Sequence, residues 1–295
     1  MTQVLKANHI IGEIVLDEHG KVVDHPSRKS VPEVDASTWP SVLRAVKDPK
    51  FFPALREKNM ARTKMQVRES VSSDILLMQA VSAIEEIDRG SNMLSRRIRE
   101  WAGWWVPELD SSVSDHPVFA RLIAENDRVE LLRQAHSAPE DSMGAELSPI
   151  DVAALKGFAS LVRQMGVSRG LLEAYVQEVM DGSCRNLAVV AGYMIGAKLL
   201  LHAGGLKRLS ELPSSTIQLL GAEKALFRHL TTGAKPPKFG MIFNHPLVQS
   251  VPRKDQGRVA RAVADKLSIA VKVDYFKGAF VGDKLKADLE KRFRR

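Results

Sequence analysis

The chain has 295 residues, of which 44% are hydrophobic and 6% aromatic, so it can bury real cores but is poor in the aromatic residues of a β-sandwich. A single cysteine, Cys184, excludes an internal disulfide and a zinc site built from thiolates. The net charge of +8 is uneven: residues 181–295 carry 21 Lys and Arg against 9 Asp and Glu, while residues 1–180 carry 22 against 26. This asymmetry indicates either a polyanionic partner for the C-terminal part or a solvated basic surface.

The first residues, MTQVLKANHI, lack the basic and then apolar layout of a signal peptide. The longest apolar run, residues 187–197, is too short to span a bilayer. We therefore expect an intracellular protein with no membrane partner.

Residues 1–63 are predicted to form a small α+β domain. Two apolar-rich runs in HIIGEIVLDEHGKVVDH flank Glu18-His19-Gly20, a pattern typical of a β-hairpin with a tight turn. Short helical segments are expected around residues 42–46 and near Leu55.

Residues 64–182 are predicted to form an arm of two long helices. Apolar residues from Leu77 onward recur at steps of three and four until WAGWWVPEL, where Pro107 breaks the pattern. The stretch SAPEDSMGAELSPID reads as a loop, and Ser148-Pro149 opens a return helix. The antiparallel coiled-coil hairpin is either a spacer or a dimerisation device. Its long seam favours dimerisation through Leu77, Ile84, Ile87, Leu94, Ile98, Leu155, Phe158 and Val162.

Residues 183–295 are predicted to form a compact all-α domain, which makes the fold mainly α. Short helices are separated by HAGG, ELPSS and GAKPPKFG, and the last long helix is expected from about Gln256 to Val271.

Within this domain, STIQLLGAEKALFRHL predicts one amphipathic helix over residues 215–230. Gly221 would lie on one face with Lys224 and Arg228, at a cost of about 1 kcal/mol relative to alanine. A glycine there indicates close approach of an RNA backbone or a protein, with the two cations meeting phosphates. Gln218 could read a base or sugar edge, while Leu219, Leu226 and Leu230 would anchor the opposite face. The spacing alone favours an ordinary surface helix with solvated cations.

Other residues are weaker candidates for contact with RNA. Glu223 is awkward beside phosphates, so it would hold a neighbouring cation or contact a protein partner. His245 could stack on a base, although a lone histidine is more often structural. A second basic cluster, with a solvated face as the alternative, comprises Arg253, Lys254, Arg258 and Arg261.

Enzyme motifs are missing from the sequence. It has no P-loop, no Gly-rich loop between a strand and a helix, no metal-ligand spacing, and no pair of carboxylates that stands out from helical surface charge. We expect no catalysis and no cofactor in this chain.

Several long motifs resemble those of a known protein family. NLAVVAGYMIGAKLLLHAGGLKRLSELPSSTIQLLGAEKALFRHL and KFGMIFNHPLV, followed by GRVARAVADKLSIAVKVDYFKGAFVGDKLKADLEKR, are similar to the Nop-domain signature. RESVSSDILLMQAVSAIEEIDRGSNMLSRRIREW resembles the coiled-coil entry of the family, and MGAELSPID resembles its tip. The resemblance covers about residues 60–295. Arg185 stands where the family usually has proline, and Tyr193 where an acidic residue is common.

The resemblance implies an archaeal-type scaffold of a box C/D small ribonucleoprotein. In that family the N-terminal domain binds the methyltransferase fibrillarin, which carries S-adenosylmethionine, and the coiled coil pairs two scaffolds. The Nop domain clamps a kink-turn guide RNA already bound by a ribosomal-protein-like partner, and the particle methylates RNA at the 2′-hydroxyl. An archaeal protein of this type would be cytoplasmic and a eukaryotic one nucleolar. The implied RNA- and RNP-binding residues are Gln218, Gly221, Ala222, Glu223, Lys224, Arg228, His245, Arg253, Lys254, Arg258 and Arg261.

Three alternatives stay open. One is a spliceosomal relative that binds a kink-turn without fibrillarin, against which the hairpin pattern argues. Another is a standalone RNA-binding or chaperone-like module without a methyltransferase, which the short N-terminal region leaves open. The third is an RNA-modifying enzyme, which would bind S-adenosylmethionine by itself.

Overall fold

The computed structural model of the protein describes residues 5–9, 12–16 and 39–293. The protein is mainly helical, as predicted. It divides into two compact units, residues 1–72 and 73–295.

The first unit contains two strands, β1 (Leu5–His9) and β2 (Gly12–Leu16), which pair antiparallel with Leu5 opposite Leu16 and His9 opposite Gly12. This antiparallel pair precedes the turn of the predicted hairpin, so it does not test that prediction. The strands are two residues apart in sequence, the spacing of the commonest hairpins, so the pairing falls before the predicted turn. That turn, at residues 18–20, lies outside the described residues.

Two helices complete the described part of this unit: α1 (Trp39–Val46) and, after a 3₁₀ turn, α2 (Phe52–Glu69). Pro53 stands in the first turn of α2, where its missing N–H costs nothing. No side chain of α2 is buried, and the helix is much longer than the segment predicted near Leu55. The expected boundary between residues 63 and 64 lies inside α2, so the division into three domains stays a prediction.

The second unit begins with the helical hairpin. Its long helices are α3 (Ser73–Ala102) and α7 (Pro149–Ser183). Ser148 caps α7 by accepting a hydrogen bond from the Asp151 N–H at 3.3 Å, and Pro149 supplies the first helical residue, as predicted. Between the long helices lie α4 (Glu108–Ser112), α5 (His116–Glu125), α6 (Arg128–Gln134) and a 3₁₀ turn at Pro139–Asp141.

The predicted seam is closed within this single chain. Ile98, Leu155 and Val162 are buried in the core of the hairpin, and Leu94 and Phe158 pack against it. Leu77 and Ile84 are buried in the main core of the unit, and Ile87 is half-buried. The buried side chains of the seam are already covered by α7, α5 and the helical core, so they are not free to contact a second chain. The pairing of two copies stays a prediction.

The rest of the unit is built around one helix, α14 (Gln256–Tyr275), which extends four residues beyond the predicted end. Nine of its residues are buried against the surrounding short helices. Asp274 near its C-terminal end accepts hydrogen bonds from the N–H groups of Asn186 and Leu187, which caps α8. The surrounding helices are α8 (Arg185–Ala191), α9 (Tyr193–Ala203), α10 (Leu206–Glu211), α11 (Ser214–Leu219), α12 (Glu223–Thr232), α13 (Pro246–Gln249) and α15 (Gly282–Phe293).

Over the described ranges, no single helix is long and apolar enough to cross a membrane. The pair α8 and α9 passes that test only together, with a bend of 115° between them.

Candidate nucleic-acid interface

Residues 215–230 do not form one helix. The segment consists of α11 and α12, with a turn between them in which Gly221 has φ +86°. A Cβ at this position would lie 2.6 Å from Cγ of Met241. The left-handed backbone and the packing of Met241 therefore both require a glycine here, and its role in admitting an RNA backbone stays a prediction.

Glu223, the first residue of α12, fastens this turn. Its Oε1 accepts a hydrogen bond from the Gly221 N–H at 2.7 Å and lies 3.6 Å from Nδ1 of His202. Burial by itself would raise the pKa of Glu223, but the backbone N–H donors of Gly221 and Glu223 and the nearby His202 hold it below its usual value. Glu223 thus lies beside His202, and its role in holding a neighbouring cation or contacting a protein partner stays a prediction. Ala222, which precedes α12, is half-buried.

Helix α12 presents its side chains to the exterior of the unit. None of them is buried, and Phe227 and Leu230 are 68% and 73% exposed. The prediction that Leu230 anchors the helix is wrong, because α12 makes too little contact with the core to cover it. Lys224, Phe227 and Arg228 are spaced three and four apart and share one exposed face.

Within the described residues, the two basic side chains of α12, Lys224 and Arg228, form no ion pair that would serve the local fold. Lys224 also lies in the first turn, where the positive end of the helix dipole disfavours a cation. Two uncompensated cations beside an exposed aromatic ring form a surface suited to an anion with flat, stackable groups.

Two predicted contact residues are instead structural. Gln218 is 9% exposed, and its Nε2 donates a 2.6 Å hydrogen bond to the carbonyl oxygen of Lys238, so this amide nitrogen is already engaged in holding the loop. His245 is buried between its partners: Nε2 lies 2.9 Å from the Val190 carbonyl oxygen, and Nδ1 accepts from the Leu247 N–H at 3.2 Å. Burial lowers the pKa of His245 and the bond to Val190 opposes this, while the charge of Lys286 lowers it further. Its stacking on a base is ruled out because the ring is enclosed.

The second basic cluster surrounds the start of α14. Arg253 and Lys254 are exposed in the turn before the helix, and Arg258 and Arg261 are exposed on its first turns. Arg258 pairs with Asp255 at 3.6 Å, which offsets part of its charge.

Phe227 is the residue of this surface that the sequence reasoning missed. Its signal was available, since an aromatic residue three positions after Lys224 falls on the charged face rather than on the apolar one. The same helical spacing predicted a buried face with Leu226 and Leu230, but in the structure Leu226 is half-buried and Leu230 is exposed.

Among the described residues we find neither a metal-binding cluster nor a reactive cysteine. They contain no group of three or more His, Cys, Asp or Glu side chains that could hold a metal ion. Burial raises the pKa of the Cys184 thiol to about 11, so this cysteine is a poor nucleophile at neutral pH.

Similarity to known proteins extends over most of the chain. The sequence model of the family described as "Nop: snoRNA binding domain, fibrillarin" matches residues 83–295. An uncharacterized NOP5 family protein of Methanocaldococcus jannaschii is 39% identical over 233 residues, which cover 74% of this chain and 56% of that protein. Nucleolar protein 58 of Kluyveromyces lactis is 32% identical over 259 residues, which cover 79% of this chain and 51% of the relative.

A solved structure agrees with these matches. A chain of a crystal structure described as a fibrillarin/Nop5p complex has a TM-score of 0.50 and 25% identity, covering 98% of both chains. The chain spans about half the length of the curated relatives it matches. With a family match over residues 83–295 and related proteins in Methanocaldococcus and Kluyveromyces, the chain belongs to the Nop family of snoRNA-binding proteins.

Proposed function

We propose that this chain is the non-catalytic scaffold of a box C/D guide ribonucleoprotein and that α12 clamps its kink-turn RNA. The observation that carries the proposal is α12 itself, which has no buried side chain and joins unpaired Lys224 and Arg228 to the exposed ring of Phe227. Arg228 would form a bidentate pair of hydrogen bonds with a phosphate, Lys224 would attract a phosphate as a point charge, and Phe227 would stack on an unpaired base.

The ribosomal-protein-like partner of the kink-turn is proposed to share this surface. Leu230 is exposed one turn beyond Phe227, and an apolar side chain beside a charged site suits a protein neighbour better than a phosphate. RNA and protein would then be recognised together by a single helix.

The N-terminal part is proposed to recruit the methyltransferase. A relative was crystallised in a complex described as fibrillarin/Nop5p. Residues 1–63, with the β1–β2 pair, would form the small α+β domain that holds fibrillarin, and fibrillarin would supply S-adenosylmethionine and the methyl transfer. The 30 residues of α3 span about 45 Å, so the hairpin would act as a spacer of defined length. The particle would lie in the cytoplasm of an archaeon or in the nucleolus of a eukaryote.

A homodimer is proposed through the outer face of the hairpin, since its seam is already filled. Val167, Leu171 and Tyr175 follow one another at steps of four on α7, and all three are exposed. Leu171→Glu would place a charge in this stripe and should convert a dimer to a monomer in light scattering. Glu178→Gln, on the same helix, is the control, and an unchanged mass for Leu171→Glu would rule out this face.

The RNA proposal is tested by binding of a box C/D kink-turn RNA over a salt series, with and without the kink-turn-binding protein. We expect Lys224→Ala/Arg228→Ala to weaken binding and to make the salt slope shallower by about 2, because two phosphate contacts are lost. Phe227→Leu should weaken binding without changing that slope, because the leucine cannot stack on a base. Equal binding by wild type and the double variant would refute the role of α12.

Fibrillarin separates the scaffold from the rival standalone RNA-binding module. The full chain is mixed with purified fibrillarin and followed by size-exclusion chromatography with light scattering. Co-elution at a defined ratio is the expected result. Separate elution, with RNA binding intact, would favour the standalone module.

A further inference from the structure

A second basic feature lies between the loop that follows α12 and the first turns of α14. It is a cavity of about 590 Å³. Three cations line it, and none of its lining residues is a carboxylate. The lining residues are Ser215, Gln218, Leu219, Lys235, Pro236, Pro237, Lys238, Gly257 and Arg261.

The three cations are Lys235, Lys238 and Arg261, and over the residues that the structure describes they have no ion-pair partner. Nearby cations of the same unit are neutralised: Arg258 pairs with Asp255 at 3.6 Å and Lys266 with Asp288 at 2.8 Å. Like charges that converge on one cavity repel one another, and an anion in the cavity would offset that repulsion.

The loop that carries the two lysines is fastened at both ends. At its start, Nδ1 of His229 contacts the carbonyl oxygen of Ala234. At its end, Gln218 holds the Lys238 carbonyl at 2.6 Å and its own carbonyl accepts from the Gly240 N–H at 2.8 Å. Pro236 and Pro237 lie between these ends and restrict the backbone further. Lys235 and Lys238 therefore project from a preorganised loop, which reduces the entropy lost on binding.

The floor of the cavity leaves room for a ligand against α14. A Cβ added to Gly257 would lie 3.8 Å from Cδ and 4.0 Å from Cβ of Lys238, so the stem of this exposed lysine lies beside α14 at Gly257. Arg261 stands one turn further along α14 and completes the ring of charge. Pro236, Pro237 and Leu219 add an apolar wall.

We propose that this cavity binds one phosphate-bearing nucleotide of the RNA strand that α12 engages. Arg261 and the two lysines hold the phosphate, and the apolar wall packs against ribose or base. The volume suits a ligand of that size. An internal phosphodiester and a terminal phosphate share this chemistry. The inference rests on the proposed function, because it assumes that RNA is the partner of α12.

The cavity variant is Lys235→Gln/Lys238→Gln/Arg261→Gln, and it is compared with the wild type. The control variant, Lys272→Gln/Lys284→Gln/Lys291→Gln, removes the same charge from exposed positions on α14 and α15. The probe is the kink-turn RNA with its binding protein, prepared with a 5′-phosphate, with a 5′-hydroxyl and as a closed circle. We expect the cavity variant to bind about tenfold more weakly, with a salt slope shallower by about 1, because one phosphate contact is lost. Thermal unfolding of each variant checks that it is folded.

A loss confined to the 5′-phosphorylated RNA would assign the cavity to a terminal phosphate, and an equal loss for all three forms would assign it to an internal phosphodiester. If the cavity variant binds every form as tightly as the control variant does, the proposal is overturned. Lys224→Ala/Arg228→Ala, measured alongside, separates the two hypotheses. If only Lys224→Ala/Arg228→Ala loses binding, the proposed function is supported and the cavity proposal is refuted. If both this variant and the cavity variant retain binding, both hypotheses are refuted.

Discussion

Replacing Gly221 by alanine is the sharpest test of how the α11–α12 turn is built. Two costs act at this position. The backbone has φ +86°, and the new Cβ would lie 2.6 Å from Cγ and 3.0 Å from Cε of Met241. The side chain of Met241 is flexible, so it can move aside, but only by giving up contacts of its own.

The expected loss of stability follows from these two costs. A left-handed backbone costs an alanine about 1–2 kcal/mol. Overpacking against Met241 adds about 1–3 kcal/mol. Gly233→Ala is the matched control, because Gly233 has φ +68° and nothing within 4 Å of its added Cβ, so it should lose only the backbone part.

Urea unfolding followed by far-UV circular dichroism gives the free energy of unfolding for both variants. Gly221→Ala should be the less stable of the two, and adding Met241→Ala to it should cost less than Met241→Ala costs in the wild type. If Gly221→Ala stays within about 0.5 kcal/mol of the wild type while RNA binding falls, the glycine serves RNA approach and the structural explanation is refuted.

Two further substitutions test the polar contacts that hold the helical unit. Burial lowers the pKa of His245 below 6.5, so the contribution of this residue to stability is complete above pH 6.5 and is lost as the pH falls through the lowered value. The urea midpoint of the wild type should therefore drop on acidification more than that of His245→Gln. Equal drops would contradict this. Asp274→Asn should cost about 1–3 kcal/mol in the same assay, because Asn186 and Leu187 donate to different carboxylate oxygens and an amide replaces one of these with an NH₂ group that cannot accept. Asp265→Asn, on the same helix, is the control, and an equal loss for both would show that the cap contributes nothing.

Local signals of the sequence were reliable where one residue decides the backbone. Ser148 and Pro149 start α7 because a serine cap and a first-turn proline act within a single turn of helix. The same kind of signal failed at Gly221, which was assigned to the face of a single helix but lies in the turn between α11 and α12. Periodicity continues in step across a short turn, so it does not distinguish one helix from two.

The sequence by itself determined a mainly helical protein, the two long helices of the hairpin, the basic C-terminal part and membership of the Nop family. Only the tertiary structure decided which side chains face outward. Gln218 and His245 are enclosed by the carbonyl groups of Lys238 and Val190, while Leu230 is left uncovered. Burial depends on what packs against a residue from distant parts of the chain, and periodicity within one helix carries no information about those neighbours.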